Sequence, residues 1–140
     1  MRQILKEYTY TPATIQRGYS GKSLYLNVSD LRMEEKVVTE FMKEKFIGGK
    51  GFDLWYLWQA VTPETRWDSP ENEIVMSVGP LGGITQYSGT GKTLVCAISP
   101  MTGIPIDSNV GGYFGPLLKF SGWDALELQG KTEKELVIFI

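Results

Sequence analysis

Glycine clusters, two of them carrying a lysine, are the chemical signal in this chain. Three short loops carry them: GGKG at 48–51, SGTGK at 88–92 and NVGG at 109–112. Glycine lets successive backbone N–H groups turn toward one concavity. The first and third loops run directly into segments of helical pattern, whose N-termini are positively polarised. With Lys50 and Lys92 in two of the loops, the set suits an anion such as a phosphate or pyrophosphate. Each loop taken singly also reads as an ordinary turn, because Gly is the default turn residue. Neither nucleotide fingerprint fits. A Walker loop ending at Gly91 and Lys92 needs glycine where Gln86 stands, and G-x-G-x-x-G is absent.

Other chemistries are excluded by composition. The 140 residues contain no histidine and one cysteine, Cys96. A disulfide framework, a zinc site ligated by the protein, an iron–sulfur cluster held by this chain alone and a Ser-His-Asp triad all fail on that count. Cys96 lies inside the apolar run TLVCAIS and reads as a small buried hydrophobe. Glu34, Glu35, Glu40 and Glu44 read as a solvated face, and no carboxylate pair stands out as an acid/base couple. Fourteen basic residues against sixteen acidic ones leave a net charge of -2 without a basic run, which argues against nucleic acid as partner. No apolar stretch approaches the ~20 residues that cross a bilayer, so no membrane is expected and the default address is the cytoplasm.

The elements that must position these loops follow from period. Residues 1–20 are polar and aromatic without periodicity and read as an extended arm, ordered by packing on something else. Residues 21–140 read as one domain. SLYLNVS alternates Leu24, Leu26 and Val28 against Tyr25 and Asn27, as a half-buried strand does. The segment RMEEKVVTEFMKEKFIGG fits a helix or a strand in its first half. A hairpin return to about Val38, then a short helix capped by Thr39, reconciles the two. After GGKG a second helix carries Leu54, Leu57, Trp58 and Val61 at i, i+3, i+4 and i+7, a stripe expected in the core, and Trp55, Trp58 and Trp123 are expected in core or interface. Strands follow at EIVMSVG and TLVCAIS. PMTGIPIDSNVGG reads as loop, YFGPLLKF as a short helix with Pro116 in its first turn, and ALELQG and ELVIFI as two antiparallel strands. The connections are too short for repeated βαβ crossovers, so the fold class expected is α+β with mainly antiparallel sheet and short helices. The apolar ending VIFI fits a terminal strand tucked into the sheet, or a chain that continues in its relatives.

Quoted in order, the motifs FIGGKG, DSPENEIVMSVGPLGG, SGTGKTLVCAISPMTG, DSNVGGYFGPLLKFSGWDALELQGK and ELVIFI form a recognisable set. It resembles the N-terminal domain of the aldehyde ferredoxin oxidoreductase family, whose pattern is similar to GGRGL, SPEN, GPLTG, GGR, SPLTG, NSGGYFG, LKFAGYDA and EGKA. The resemblance covers about residues 21–140 in the same order and spacing, and residues 1–20 exceed the lead-in usual there.

The resemblance implies a platform of β-sheet under a tungsten (or molybdenum) bis-pterin cofactor, with the metal held by pterin sulfurs and not by side chains. It implies that Asn109 offers its backbone carbonyl to a magnesium ion bridging the pterin phosphates, and that Val110, Gly111 and Gly112 supply backbone amides there. It places Lys92 at the family's phosphate-binding arginine, where the charge survives without the planar fork. Lys50 shows the same Arg-to-Lys change, and Gly82 stands where Thr is common. The activity implied is oxidation of aldehydes to carboxylic acids with ferredoxin as electron acceptor, and a relative acting on activated aromatic acids fits as well. The [4Fe-4S] cluster and the catalytic acid/base residues belong to later domains, so partner domains or a partner subunit are expected. The alternative is a non-catalytic pterin-binding or interaction module, whose apolar face a partner or a second copy in a homo-oligomer would cover.

Overall fold

The computed structural model describes residues 3–140. The first alternating segment forms β1 (Lys22–Asn27) and returns as β2 (Arg32–Val37), paired from Lys22 opposite Val37 to Asn27 opposite Arg32. Two side chains shape the turn: the Asn27 amide oxygen accepts from the Ser29 N–H, and the Asp30 carboxylate accepts from the Arg32 N–H. Thr39 then caps α1 (Glu40–Phe46), its hydroxyl accepting from the Met42 N–H at 3.2 Å, as a Thr at this position is expected to do. Helix α2 (Lys50–Ala60) follows at once. β3 (Glu73–Ser77), β4 (Thr93–Ile98), β5 (Pro105–Val110), α3 (Phe114–Phe120) and β6 (Ala125–Gln129) complete the order.

All six strands join one sheet in the order β2-β1-β6-β3-β4-β5. Among the described residues only β1 and β6 run parallel, and every other pair is antiparallel, so the mainly antiparallel α+β class holds. Helices α1 and α2 cover one face, where Val38, Met42, Phe52, Tyr56, Leu57, Val75, Cys96 and Ala125 form the main core. On the other face Leu24, Leu118, Trp123 and Leu126 make a second cluster, completed by Tyr10 from the N-terminal segment. Residues 3–15 carry no regular secondary structure and pack on the domain, with the Tyr10 ring 4.6 Å from that of Trp123, and a tight turn at 16–19 leads into β1. Met1 and Arg2, the first residues of the expected arm, lie outside the described residues.

Three expectations need correction. The buried face of α2 is Phe52, Asp53, Tyr56 and Leu57, while Leu54 is 40% and Trp58 79% exposed. The two stripes share Leu57, but the aromatic pair Phe52 and Tyr56 faces the sheet, and Trp58 lies on the opposite, exposed side. Trp123 does, and Trp55 is half-buried against Phe41 and Phe46. Second, the segment read as loop contains β5. The Ser99 hydroxyl accepts from the Met101 and Thr102 N–H groups, and Gly103 at φ 70 brings the chain back beside β4. Pro105 is tolerated because it opens an edge strand. Third, ELVIFI forms no strand, and Val137 and Phe139 are almost fully exposed. Strand β6 is flanked by β1 and β3, which leaves no open edge beside it for a hairpin partner.

Candidate functional site

The three glycine loops converge at one end of the sheet. Ile47 leaves α1 at φ 64, followed by Gly48 at φ 154 and Gly49 at φ 55. A Cβ on Gly48 would lie 2.9 Å from Gly79 Cα, so the first loop abuts the 79–83 segment directly. That segment folds back on itself through the Gly83 N–H to the Thr90 carbonyl at 3.1 Å and the Thr90 hydroxyl to the Ile84 carbonyl at 3.0 Å. A Cβ on Gly91 would sit 2.7 Å from the Gly112 carbonyl oxygen, and one on Gly115 would sit 2.5 Å from Thr93 Oγ1. The second and third loops are thus in backbone contact, which glycine alone permits.

Lys92 stands exposed on the rim of an open hollow of about 300 Å³, walled by Ile47, Pro80, Tyr87 and Gly89. Asn109 and Val110 do not line that hollow. They are the last residues of β5, opposite Leu94 and Thr93, and Gly111 and Gly112 follow as an exposed turn with Gly112 at φ 107. Because β5 is an edge strand, alternate backbone groups along it have no ladder partner. Added Cβ atoms on Gly111 or Gly112 would meet nothing within 4 Å, so the turn presents open backbone. Lys92 and the 109–112 stretch are therefore neighbours on either side of the Gly91–Gly112 contact. Lys50 is differently placed: its ammonium pairs with the Asp107 carboxylate at 2.8 Å, tying the first loop to β5, and that pairing holds its proton more tightly.

This set fits a phosphate-bearing group: an exposed ammonium at Lys92, and an exposed glycine turn and edge-strand backbone beside it. Among the described residues, no group of three or more Cys, Asp or Glu side chains is placed to hold a metal ion. A metal at this end of the sheet would draw its ligands from backbone carbonyls and from the bound group itself, an arrangement that suits oxygen-seeking Mg²⁺.

Several buried charged groups were not legible beforehand. Asp53 is fully buried beside Ser77 and Cys96, and desolvation pushes its carboxyl up to about 8. Glu73 and Glu127 are buried together under α2. Desolvation, then the Glu127 charge, raises Glu73 to about 8, while Lys36 and the Ser23 hydroxyl satisfy Glu127. Burial, then the Asp53 charge, pushes the Cys96 thiol up to about 12, and its side chain is buried as expected. Lys119 and Asp124, both within the LKFSGWDA motif, form a buried ion pair. Glu127 alternates with Leu126 and Leu128, which reads as a solvent-facing position unless the second face is known to be covered.

The family described as "Aldehyde ferredoxin oxidoreductase, N-terminal domain" matches residues 23–140. The chain belongs to this family. Among aldehyde ferredoxin oxidoreductase relatives, the tungsten-containing aldehyde ferredoxin oxidoreductase of Pyrococcus horikoshii is 39% identical over 123 residues, 88% of this chain and 20% of its own length. An aliphatic sulfonate oxidoreductase, WOR-like subunit, of Pyrococcus furiosus is 29% identical over 126 residues. The solved active-site complex BamBC of benzoyl coenzyme A reductase, bound to 1,5 dienoyl-CoA, superposes with a TM-score of 0.79 at 31% identity, covering 84% of this chain and 18% of that one. The chain spans about a fifth of the length of these relatives.

Proposed function

We propose that this chain is the cofactor platform of a tungsten or molybdenum bis-pterin oxidoreductase, one that oxidises aldehydes to carboxylic acids and delivers the electrons to ferredoxin in the cytoplasm. The observation that carries the proposal is the backbone contact of Gly91 with Gly112, which sets Lys92 beside the Asn109–Gly112 stretch in a chain whose relatives are tungsten-containing.

When bound, the metal bis-pterin group supplies the two-electron chemistry. The chain's own residues bind and orient its phosphate end. Lys92 donates a charge-assisted hydrogen bond from an ammonium whose flexible stem gives less directional control than an arginine fork. Val110, Gly111 and Gly112 present backbone N–H groups, and the Asn109 backbone carbonyl serves a magnesium ion. None of these residues transfers a proton or electron, and no catalytic residue is assigned to this chain. The [4Fe-4S] cluster and the acid/base groups are assigned to the portion of the assembly that corresponds to the other four-fifths of the relatives.

A second reading concerns the substrate. The likeness to a benzoyl coenzyme A reductase active-site complex supports an enzyme acting on activated aromatic acids, built on the same platform. Both readings share one test: purification of the chain from its native source without oxygen, with metal, pterin and iron analysis. Tungsten or molybdenum and pterin are expected to co-purify with it in a larger, iron-containing assembly. A cofactor-free monomer that takes up no pterin contradicts both readings and favours a non-catalytic interaction module.

A further inference from the structure

The residues just ahead of the family match touch the walls of the Lys92 hollow. Gln16 and Tyr19 exchange backbone hydrogen bonds of 2.8 and 2.9 Å across Arg17 and Gly18, both at positive φ, which closes a tight turn. A Cβ on Gly18 would lie 2.2 Å from the Pro80 carbonyl oxygen, so the turn sits hard against one wall. The Tyr19 hydroxyl donates to the Ile47 carbonyl at 2.6 Å, at another wall.

Ile47 holds φ 64, a left-handed conformation that is unfavourable for a β-branched residue and needs its surroundings to hold it. The turn is itself fixed from beneath. The Lys119 ammonium donates to the Gly18 carbonyl at 2.8 Å, and the Asp124 carboxylate accepts from the Ser20 and Gly21 N–H groups at 3.1 and 2.7 Å. The buried Lys119–Asp124 pair of the family motif thus anchors a turn outside the matched residues, and that turn braces the hollow.

We infer that Tyr19 is a positioning residue for the anion site: the 16–19 turn holds the Ile47 and Pro80 walls in the geometry that places Lys92 at the rim. The inference rests on the phosphate-platform reading and adds to the site a segment that lies outside the family match. Tyr19→Phe keeps the ring against Phe52 and removes only the hydroxyl.

Magnesium pyrophosphate is titrated calorimetrically into the 140-residue chain, into Tyr19→Phe and into Lys92→Ala. Hydrogen exchange is followed in the same three proteins. The inference expects Tyr19→Phe to bind pyrophosphate about five-fold more weakly, the equivalent of one hydrogen bond. It also expects faster amide exchange at 47–51 and 79–83, with unchanged exchange in β1, β3 and β6. If Lys92→Ala weakens binding while Tyr19→Phe matches the parent in affinity and exchange, the positioning role is overturned and the platform stands. A parent chain that binds no pyrophosphate, or a Lys92→Ala variant that binds as the parent does, overturns the platform and this inference with it.

Discussion

Asp53 shows how far a residue's setting can depart from what its type suggests. It follows GGKGF near the start of α2, and it lies fully buried with Ser77, Cys96 and the Lys50–Asp107 pair around it. Its carboxyl and that of Glu73 are both pushed to about 8 in the folded chain, from 3.8 and 4.5. Between those values the folded state keeps protons that the unfolded chain releases, so the stability they contribute is full at low pH and is lost as pH rises through about 8. Asp53→Asn, which cannot ionise, is expected to flatten that decline. Chemical denaturation at about pH 5 and pH 8 should show the parent losing more stability between the two than the variant, by over ~1 kcal/mol; equal losses would contradict the assignment. Asp124 makes a complementary case. Asp124→Ala leaves Lys119 buried without its partner and frees two backbone N–H groups, and is expected to cost about 3–5 kcal/mol in the same measurement. A cost within the ~0.5 kcal/mol typical of surface sites would show the pair to be incidental. Nothing in the sequence distinguishes these carboxylates from exposed ones, because burial is decided by which sheet face the helices cover.

At the scale of elements, apolar spacing and capping residues were legible. Leu24 and Leu26 marked β1 as a strand, though it is buried on both faces where one was expected, with Tyr25 only 4% exposed; Thr39 caps α1, and Pro116 falls in the first turn of α3. Strand β5 escaped because an edge strand that is exposed along its whole length has no apolar alternation to display. ELVIFI had the opposite fault, a strand-like composition with no free edge next to β6. The 88–92 stretch was legible as a loop, whereas Lys50 and Gly51 open α2 and Asn109 and Val110 end β5. The convergence of the three stretches was not legible, since it depends on backbone approaches at Gly48, Gly91 and Gly115 that only the fold supplies. Gly115→Ala tests that convergence. Its Cβ would meet Thr93 Oγ1 and Val78 Cγ1 at 2.5 and 2.6 Å, so α3 must shift away from β4. The variant is expected to lose about 1–3 kcal/mol of stability and to weaken pyrophosphate binding. A variant as stable as the parent would mean that α3 and β4 are not packed this closely.

At the scale of the whole molecule, polar and apolar surface are unevenly placed. Met101, Ile104, Tyr113, Phe114, Leu117 and Phe120 are all exposed along one run of chain that includes β5 and α3, and Val137 and Phe139 add to the apolar surface near the C-terminus. Apolar surface of this extent is expected to associate. Sedimentation of the isolated chain should therefore show concentration-dependent self-association, accompanied by binding of a hydrophobic dye. A dye-silent monomer at every concentration would contradict that expectation.

Amide NMR reads the proposed phosphate-binding locus of Lys92 and the Asn109–Gly112 stretch directly. Magnesium pyrophosphate is titrated into the isotope-labelled 140-residue chain. Saturable shifts are expected at Gly91, Lys92 and Asn109–Gly112, and their loss in Lys92→Ala. Shifts confined to other parts of the chain, or none at all, would contradict it.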